Sequence, residues 1–485
     1  MTAPARRTMP ALPAEPHRVH IIGVCGTGMG SLAGMLKERG FEVRGSDTGA
    51  YPPMSTWLES RGIPILTGWD AANLDWGPEL VVVGNVCRRD NPEAVEAAAR
   101  GIVCVSFPEA LRALFLTGRR PLVVTGTHGK TTTSSLLAWL LEVAGCAPSF
   151  MVGGIAANFG GNFKLADGAC FVVEGDEYDT AFFDKVPKFW HYAPFRATIN
   201  NIEFDHGDIY PDLASIVAVF EAFAAMVPTE GTLWVNGDDP RAVEVATRAQ
   251  CRVRTFGLDA GNALRPTSIR YDEAETVVEL ALDGASLGSF RSPLPGEHNV
   301  RNLMGALALA LDEGADLEAM RAGLPAFASV RKRQELKGQA GGVRVYDDFA
   351  HHPTAVRETL RAIRHRYPNA PLWAIFEAKS NTSRMAIFQH DYLAAFEAAD
   401  HVVLSAPWKK DAHLSEGERI DLGQLAAELS ARGQDAVHIP TVEAIVEHVA
   451  SRARAGDVVV GMSGSNFAGF HDKLLARLAG GDGGG

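Results

Sequence analysis

The most constraining feature of this 485-residue sequence is the stretch PLVVTGTHGKTTT at residues 121–133. An apolar, mostly β-branched run stops at two glycines, a lysine and three threonines, which predicts a buried strand, a phosphate-binding loop and a helix. Lys130 can reach terminal phosphates and the Thr131 hydroxyl can bind Mg²⁺. The loop is shorter than a full Walker A motif, because Val124 stands where its first glycine would be. We therefore predict a nucleoside triphosphate site.

A second glycine-rich turn follows the first strand-like segment, VHIIGV. Gly28 to Ala33 satisfy the G-x-G-x-x-A pattern between a predicted strand and a predicted helix. Asp47 follows the next strand, at about the distance expected for an acid that binds ribose. NAD, NADP, FAD or a nucleotide sugar would fit such a crevice. The alternative is a tight β-α turn that binds nothing, because glycine-rich turns of this kind are common.

Acidic and histidine residues end two later predicted strands, CFVVEGDE (170–177) and ATINNIEFDH (197–206). Ligands of parallel α/β sheets collect at the carboxyl ends of strands. Glu174 with Thr131 therefore suits Mg²⁺, which prefers oxygen ligands. The residues alone leave His206 open between a metal ligand and an ordinary polar residue. They also leave Asp176 and Glu177 open as solvated loop acids.

Three polar groups further along the chain have competing interpretations. Asn299 and Asn302 flank a predicted helix start, where asparagine is a common cap. Arg333 belongs to a basic run that is either a solvated linker or a phosphate clamp. Asp348 follows a predicted strand and precedes Pro353. Its position predicts either a contact with ribose or magnesium, or a helix cap.

Strand and helix patterns alternate along most of the chain, which predicts parallel sheets and three α/β units in series. The segment TVVELALDGASLGSF (276–290) is a predicted hairpin around Asp283 and Gly284. At 485 residues the chain is too long for a single hydrophobic core.

Charge and composition restrict the partners. The net charge of −12, from 46 Lys+Arg against 58 Asp+Glu, argues against nucleic acid or an anionic membrane as the main partner. Six cysteines without a CxxC pair favour a reduced protein without disulfides or structural zinc. No signal peptide or bilayer-length apolar run is evident, so we expect a cytoplasmic protein.

Taken in order, five motifs resemble those of the Mur ligase family: GTHGKTTT (126–133), EGDE (174–177), NIEFDH (201–206), GEHNVRN (296–302) and DDFAHHP (347–353). The likeness extends from about His20 to Leu478. It implies an α/β protein of three domains, with a Rossmann-like N-terminal domain, a central P-loop-type ATPase domain and a Rossmann-like C-terminal domain. The implied boundaries are a flexible leader 1–18, a UDP-sugar-binding domain 19–118, an ATP-binding domain 119–328, a ligase domain 329–478 and a flexible tail 479–485.

The resemblance also implies roles for individual residues and requires ATP and Mg²⁺. The residues implied to bind ATP are Gly126, Thr127, His128, Gly129, Lys130, Thr131, Thr132, Asn299, Asn302, Arg333 and Asp348. Those implied to bind the UDP-sugar are Gly26, Thr27, Gly28, Met29, Asp47, His128 and Asn201. The implied metal ligands are Thr131, Glu174 and His206, and the implied catalytic residues are Lys130, Glu174, His206 and Arg333.

Two subfamilies share these motifs, the UDP-N-acetylmuramate–L-alanine ligases and the murein peptide ligases. The segments 51–56, 176–179 and 182–185 are more similar to the second subfamily. The implied reaction joins UDP-N-acetylmuramate to the recycled tripeptide L-Ala-γ-D-Glu-meso-diaminopimelate, with L-alanine as the alternative substrate. Lys379 stands where the family pattern has arginine, which removes a bidentate anion contact. An NAD(P)-dependent oxidoreductase is a distant alternative that rests on the N-terminal glycine loop alone.

Overall fold

The computed structural model describes residues 7–13, 16–52, 54–406 and 416–480. Contacts divide the chain into two units. The first consists of Met1–Glu203, Asp212–Leu264 and Met304–Gly323, and the second of Phe204–Pro211, Arg265–Leu303 and Leu324–Gly485. Pro53 of the 51–56 motif, parts of the predicted leader and most of the predicted tail lie outside the described residues.

Five parallel strands open the first unit: β1 (Arg18–Ile22), β2 (Glu42–Asp47), β3 (Ile65–Thr67), β4 (Leu80–Val83) and β5 (Val103–Ser106). The connecting helices are α1 (Thr27–Glu38), α2 (Met54–Ser60), α3 (Pro92–Ala99) and α4 (Phe107–Leu111). The order across the sheet is β3-β2-β1-β4-β5, so the connections reverse direction between β1 and β4. A crevice is expected at the carboxyl ends of these two central strands.

The same unit contains a second sheet, around the phosphate loop. Its strands are β6 (Arg120–Thr125), β7 (Ser149–Ala156), β8 (Gly161–Lys164), β9 (Cys170–Glu174), β10 (Arg196–Ile199), β11 (Thr232–Asn236) and β12 (Arg252–Phe256), in the order β12-β11-β10-β6-β9-β7-β8. Only the pairing of β8 with β7 is antiparallel among these described strands. The apolar run Leu122–Val124 is fully buried, as expected for a strand covered on both faces.

Helices α5 (Lys130–Val143), α6 (Leu213–Ala224) and α7 (Pro240–Ala246) belong to the first unit. Helix α8 (Glu297–Asp312) enters this unit at Met304, and α9 (Leu317–Gly323) ends it. Strand β13 (Leu264–Tyr271) begins at Leu264, which is the last residue of the segment Asp212–Leu264 of the first unit. The strand then continues into the second unit.

The second unit contains a hairpin and a six-stranded sheet. The hairpin strands β14 (Thr276–Leu282) and β15 (Ala285–Ser292) meet at Asp283 and Gly284, which have φ angles of 50° and 83°. The predicted hairpin is therefore confirmed. The sheet consists of β16 (Glu335–Ala340), β17 (Val343–Asp348), β18 (Leu372–Glu377), β19 (His401–Ser405), β20 (Asp435–Ile439) and β21 (Val458–Met462), in the order β16-β17-β21-β18-β19-β20.

Five helices complete the second unit: α10 (Pro353–Arg366), α11 (Gln389–Ala395), α12 (Leu422–Ala431), α13 (Val442–Arg452) and α14 (Phe470–Ala479). All pairs in the six-stranded sheet are parallel except that of β16 with β17. The predicted α/β class is confirmed, whereas the exact domain boundaries stay predictions. Within the described residues, no helix is long and apolar enough to cross a membrane.

Candidate active site

The phosphate loop lies between β6 and α5, as predicted. Gly126 and Gly129 have φ angles of 128° and 80°, which side chains rarely tolerate. A Cβ on Gly126 would also be only 3.0 Å from the backbone nitrogens of Asn200 and Asn201. Thr133 N donates to Gly129 O, so helix geometry leaves the preceding amides of α5 without an intrahelical acceptor. These amides form the N-terminal end of a 14-residue helix, which favours an anion.

The outer part of the loop is fixed by the segment after β10. Asn201 Oδ1 accepts a hydrogen bond of 2.7 Å from His128 N, and Asn201 O accepts one of 3.0 Å from Thr127 N. Glu203 N donates to Thr127 Oγ1 at 2.9 Å, and His128 Nε2 lies 3.2 Å from Glu203 Oε2. In this structure Asn201 therefore shapes the phosphate loop.

Lys130 is almost completely enclosed. Its Nζ donates to Gly126 O at 2.8 Å, to Thr127 O at 3.1 Å and to both carboxylate oxygens of Glu177 at 2.9 and 3.0 Å. Burial alone would lower the pKa of Lys130, but the neighbouring carboxylates, led by Glu177, raise it. Glu177 is 2% exposed, so its interpretation as a solvated acid is wrong. Sequence reasoning missed this partner, whose place in the EGDE motif was the available signal.

Glu174 lies at the end of β9 beside the same loop. Its Oε1 accepts from Thr131 Oγ1 at 2.9 Å, and its Oε2 accepts from Gly153 N at 2.7 Å. Burial raises the pKa of this carboxyl. A hydroxyl and a carboxylate held together beside a helix N-terminus that favours anions are suitable oxygen ligands for Mg²⁺.

The N-terminal turn differs from the predicted fingerprint. The turn between β1 and α1 is formed by residues 23–26, and Gly28 to Ala33 lie within the helix. A Cβ on Gly30 would be 2.4 Å from Met54 Sδ, so this glycine allows two helices to pack. The prediction that the G-x-G-x-x-A residues form the β-α turn is therefore wrong. The pattern is satisfied here by residues of α1, including a glycine that is needed for helix packing. Asp47 accepts from Cys25 N at 2.9 Å and so anchors the turn.

A cavity of about 340 Å³ connects this turn with Glu174. Its first wall comes from the five-stranded sheet, and includes the predicted residues Gly26, Thr27, Gly28 and Met29 together with Gly23, Gly84, Asn85, Val86 and Phe107. Its second wall comes from the sheet of the phosphate loop, and comprises Met151, Val152, Gly153, Val173, Glu174, Asp176, Thr180, Lys188 and Tyr192. The crevice expected between β1 and β4 is therefore present, and it faces a candidate metal ligand.

Asp176 and Lys188 form an ion pair in the second wall, with Lys188 Nζ 2.6 Å from Asp176 Oδ2. Burial alone would raise the pKa of Asp176, but Lys188 and Lys130 outweigh it and lower the pKa to about 2. Asp176 therefore stays ionised throughout the physiological range. Neither side chain was predicted as a site residue.

In the second unit, Asp348 ends β17 and organises a turn. Its carboxylate accepts from Gln334 N and Ala350 N, both at 2.7 Å, and from Thr359 Oγ1 at 3.3 Å. Burial raises its pKa. The helix-cap interpretation of Asp348 is wrong, because His352 caps α10 by accepting from Thr354 N.

The predicted basic run forms a strained turn. Ser329, Lys332 and Gln334 all have positive φ angles, between 48° and 64°. Lys332 Nζ donates to Ser465 O, and the Arg333 guanidinium lies 5.0 Å from the centre of the Phe349 ring. Backbone strain of this kind concentrates at functional sites and switches. For Lys332, the solvated-linker interpretation is wrong.

Asn299 and Asn302 are both buried near the start of α8. Asn299 Nδ2 donates to Pro295 O at 2.8 Å, and Asn302 Nδ2 donates to Asn299 Oδ1 at 3.1 Å. The neighbouring His298 is neutral, because burial lowers its pKa to about 4. Asn299 is therefore part of a buried polar network, and the cap interpretation is wrong for it.

His206 adopts a left-handed backbone conformation, with φ of 56°. Its N–H donates to Asp205 Oδ1 at 2.7 Å and to Thr382 Oγ1 at 3.1 Å. Thr382 Oγ1 in turn donates to Asp205. This network holds His206 in a backbone conformation that is uncommon outside glycine.

The predicted residues are thus divided between the two units. The first unit contains Gly26, Thr27, Gly28, Met29, Asp47, Gly126, Thr127, His128, Gly129, Lys130, Thr131, Thr132, Glu174 and Asn201. The second contains His206, Asn299, Asn302, Arg333 and Asp348.

Comparison with known proteins gives matches along nearly the whole chain. Family profiles match at residues 18–119 ("Mur ligase family, catalytic domain"), 124–310 ("Mur ligase middle domain") and 332–465 ("Mur ligase, glutamate ligase domain").

Individual relatives are similar over their full length. The UDP-N-acetylmuramate–L-alanyl-γ-D-glutamyl-meso-2,6-diaminoheptandioate ligase of Escherichia coli K12 is 40% identical, over 95% of this chain and 98% of the relative. The UDP-N-acetylmuramate–L-alanine ligase of Mycolicibacterium vanbaalenii is 36% identical, over 99% of each. A crystal structure of a murein peptide ligase from Psychrobacter arcticus superposes with a TM-score of 0.69 at 33% identity, covering 95% of this chain and 98% of that one.

Proposed function

The chain belongs to the Mur ligase family, and we propose that it joins UDP-N-acetylmuramate to the tripeptide L-Ala-γ-D-Glu-meso-diaminopimelate by an ATP-dependent reaction. One observation carries this proposal. The 340 Å³ cavity brings a glycine turn suited to a nucleotide diphosphate next to Glu174, which touches the phosphate loop through Thr131. A donor phosphate and an acceptor acid can therefore meet in one unit.

The chemistry follows from the weakness of carboxylates as acyl donors. ATP transfers its γ-phosphoryl group to the lactyl carboxylate of the sugar, which forms an acyl phosphate and releases ADP. The α-amine of the peptide then attacks the acyl carbon, loses its proton to a base, and phosphate leaves. The acyl phosphate hydrolyses in water, so the cavity must also exclude solvent.

Residues of the first unit would act on the phosphates. We propose that the amides of the phosphate loop and Lys130 bind the β- and γ-phosphates, which requires Lys130 to exchange part of its contact with Glu177 for phosphate oxygens. Thr131 and Glu174 are the proposed Mg²⁺ ligands, and bound Mg²⁺ would neutralise phosphate charge there. The turn at residues 23–26 and the first residues of α1 (27–29) would bind the UDP moiety, with Asp47, His128 and Asn201 supporting it.

The Mur ligase motifs also propose ligand contacts for residues of the second unit. The buried amides of Asn299 and Asn302 are suited to hydrogen bonds with adenine, and the carboxylate of Asp348 to the ribose. Arg333 would contact the phosphates, and His206 would bind a second Mg²⁺. We retain the domain limits 19–118, 119–328 and 329–478 as part of the proposal.

The peptide substrate and the biological setting are also proposed. Identity is 40% to the tripeptide-adding relative and 36% to the alanine-adding one, and the segments 176–179 and 182–185 resemble the tripeptide-adding subfamily. We therefore assign the protein to peptidoglycan recycling. All six cysteines are free, which supports a cytoplasmic location. L-alanine remains the second candidate substrate because of the 36% identity over 99% of the chain.

A substrate panel tests the proposal. UDP-N-acetylmuramate and ATP are incubated with L-alanine, the tripeptide or a pentapeptide, and phosphate release and product mass are recorded. We expect the tripeptide to exceed L-alanine at least 100-fold in kcat/KM. Comparable rates with L-alanine would favour the second candidate, and the absence of an amide product with every amine would refute the ligase assignment.

A further inference from the structure

We propose that Lys188 is a binding residue for the carboxylate of the sugar-nucleotide acceptor. This inference rests on the proposed function, because it assigns one group of that substrate to one side chain of the cavity. It concerns ground-state binding of the acceptor and requires neither ATP nor the peptide.

The acidic residues that line the cavity would repel an anionic ligand unless a cation is also present. Its lining includes two acids, Glu174 and Asp176, whereas the acceptor carries a carboxylate and a diphosphate. Lys188 is the only lysine, arginine or histidine among the described residues that line the cavity. Without this side chain, an entering carboxylate would meet two like charges and no basic side chain of the wall.

Lys188 has hydrogen-bonding capacity to spare. An ammonium group has three donors, and the hydrogen bond seen for Lys188 Nζ goes to Asp176 Oδ2 at 2.6 Å. Its side chain is 20% exposed. Lys130 differs, because two carbonyls and a carboxylate already surround its Nζ. A second anion can therefore join Lys188 without displacing Asp176.

The backbone around Lys188 is anchored. Lys188 N donates to Tyr178 O at 3.0 Å, and Phe189 N donates to Asp176 O at 3.3 Å. Ser106 Oγ donates to Asp184 Oδ2 at 3.0 Å, which fixes the preceding loop to the start of α4. The long side chain therefore extends into the cavity from a fixed base, and a shorter or uncharged residue could not replace its charge there.

The acceptor has two anionic groups that Lys188 could bind, the diphosphate and the lactyl carboxylate. The diphosphate is expected at the glycine turn of the first wall, where backbone amides approach closely. Lys188 lies in the second wall with Glu174, where the phosphoryl group must arrive. The reacting carboxylate belongs to that side, so we assign Lys188 to the carboxylate.

Binding of two nucleotides separates these assignments. UDP-N-acetylglucosamine carries the same diphosphate as UDP-N-acetylmuramate but lacks the lactyl carboxylate. Calorimetric Kd values for both, without ATP, are measured for the wild type, Lys188→Met and Lys188→Arg. We expect Lys188→Met to weaken binding of UDP-N-acetylmuramate by about 10- to 100-fold and binding of UDP-N-acetylglucosamine by less than 3-fold. Lys188→Arg should retain most of the affinity.

Lys185→Met is the matched control. Lys185 also pairs with an aspartate at 2.6 Å, Asp179, but it is 58% exposed and does not line the cavity. Its substitution should leave both Kd values unchanged. Melting curves and the KM for ATP check that each variant is folded; if Lys188→Met does not fold, Lys188→Gln replaces it, and the ratio of the two Kd values remains the readout.

Several outcomes would overturn the assignment. Equal weakening for both nucleotides would place Lys188 on the diphosphate, and unchanged binding of UDP-N-acetylmuramate would show that Lys188 does not contact the acceptor. A different result would refute the proposed function, namely a wild-type protein that forms no amide product. A wild type that binds both nucleotides equally would refute the carboxylate subsite even if ligation occurs.

Discussion

Replacing Asp347 with asparagine should make the protein more stable at pH 8. Asp347 lies on β17 and is 4% exposed, and its Oδ1 has no hydrogen-bond partner among the described residues. His471 Nε2 is 3.5 Å from this oxygen, but burial lowers the pKa of His471 to about 4, so the imidazole is neutral at pH 8. Burial raises the pKa of Asp347 itself from 3.8 to about 6. The native structure therefore contains a poorly compensated buried charge.

The size of the effect follows from the shift in pKa. Because the folded-state value lies above the unfolded one, protonation of Asp347 stabilises the fold below pH 4, and this stabilisation is lost as the pH rises through 6. A shift from 3.8 to about 6 corresponds to about 3 kcal/mol at pH 8. An asparagine removes this cost, but its unpaired amide costs about 1–2 kcal/mol. The net gain is about 1–2 kcal/mol, or about 2–8 °C in Tm.

Thermal unfolding at several pH values tests this reasoning. The Tm difference between Asp347→Asn and the wild type should be positive at pH 8 and should vanish near pH 5, where about half of the 3 kcal/mol has been recovered by protonation. Asp457→Asn is the control, because the buried carboxylate of Asp457 accepts from Trp373 Nε1 and Arg454 N and should be needed at both pH values. A lower Tm for Asp347→Asn at pH 8, or a difference independent of pH, would refute the argument.

Substitutions at four other positions test different parts of the structure. Lys130→Met should lower kcat by at least about 100-fold while the Kd for UDP-N-acetylmuramate, measured by calorimetry, changes less than 3-fold. Glu177→Gln leaves that lysine without its buried partner, so unfolding in the absence of ATP should become easier by about 3 kcal/mol, and the double variant with Lys130→Met should recover most of the loss in Tm. Gly34→Leu should overpack this region, because a Cβ at this position would lie 2.5 Å from Trp57 Cη2. The free energy of unfolding should fall by about 1–3 kcal/mol, which is measured as a lower Tm. Thr382→Val removes an acceptor for His206 N and should lower kcat about 10-fold in a phosphate-release assay, whereas Thr382→Ser should not.

Several strands buried on both faces could be predicted from the sequence, whereas two polar strands could not. The apolar runs of β1, β6 and β9 all form strands where they were expected. Strands β12 and β16, by contrast, read RVRTF and ELKGQA and are only partly buried. Their positions are set by pairing with neighbours rather than by their own hydrophobic pattern. Strand β11, TLWVN, is fully buried and was nevertheless missed.

The phosphate loop was predictable because its chemistry is local. Gly126, Gly129, Lys130 and Thr131 lie within six residues, and the sequence alone indicates how they can surround a phosphate. The partners of this loop were not predictable in the same way. Glu177 is 47 residues away from Lys130, and only the path of the chain after β9 brings the two together. Lys188 reaches the cavity through the same path.

The asparagines of α8 show what a local pattern cannot decide. An asparagine near a helix start predicts a cap equally well whether its side chain faces a helix amide or a ligand. The contacts distinguish the two, because a cap accepts from the helix backbone, whereas Asn299 donates to Pro295 O and accepts from Asn302. The side chain of Asn299 is therefore fixed by partners within the protein on both its donor and its acceptor side. The direction of one hydrogen bond thus excludes a cap for Asn299, which composition and spacing had left open, and adenine binding stays a prediction.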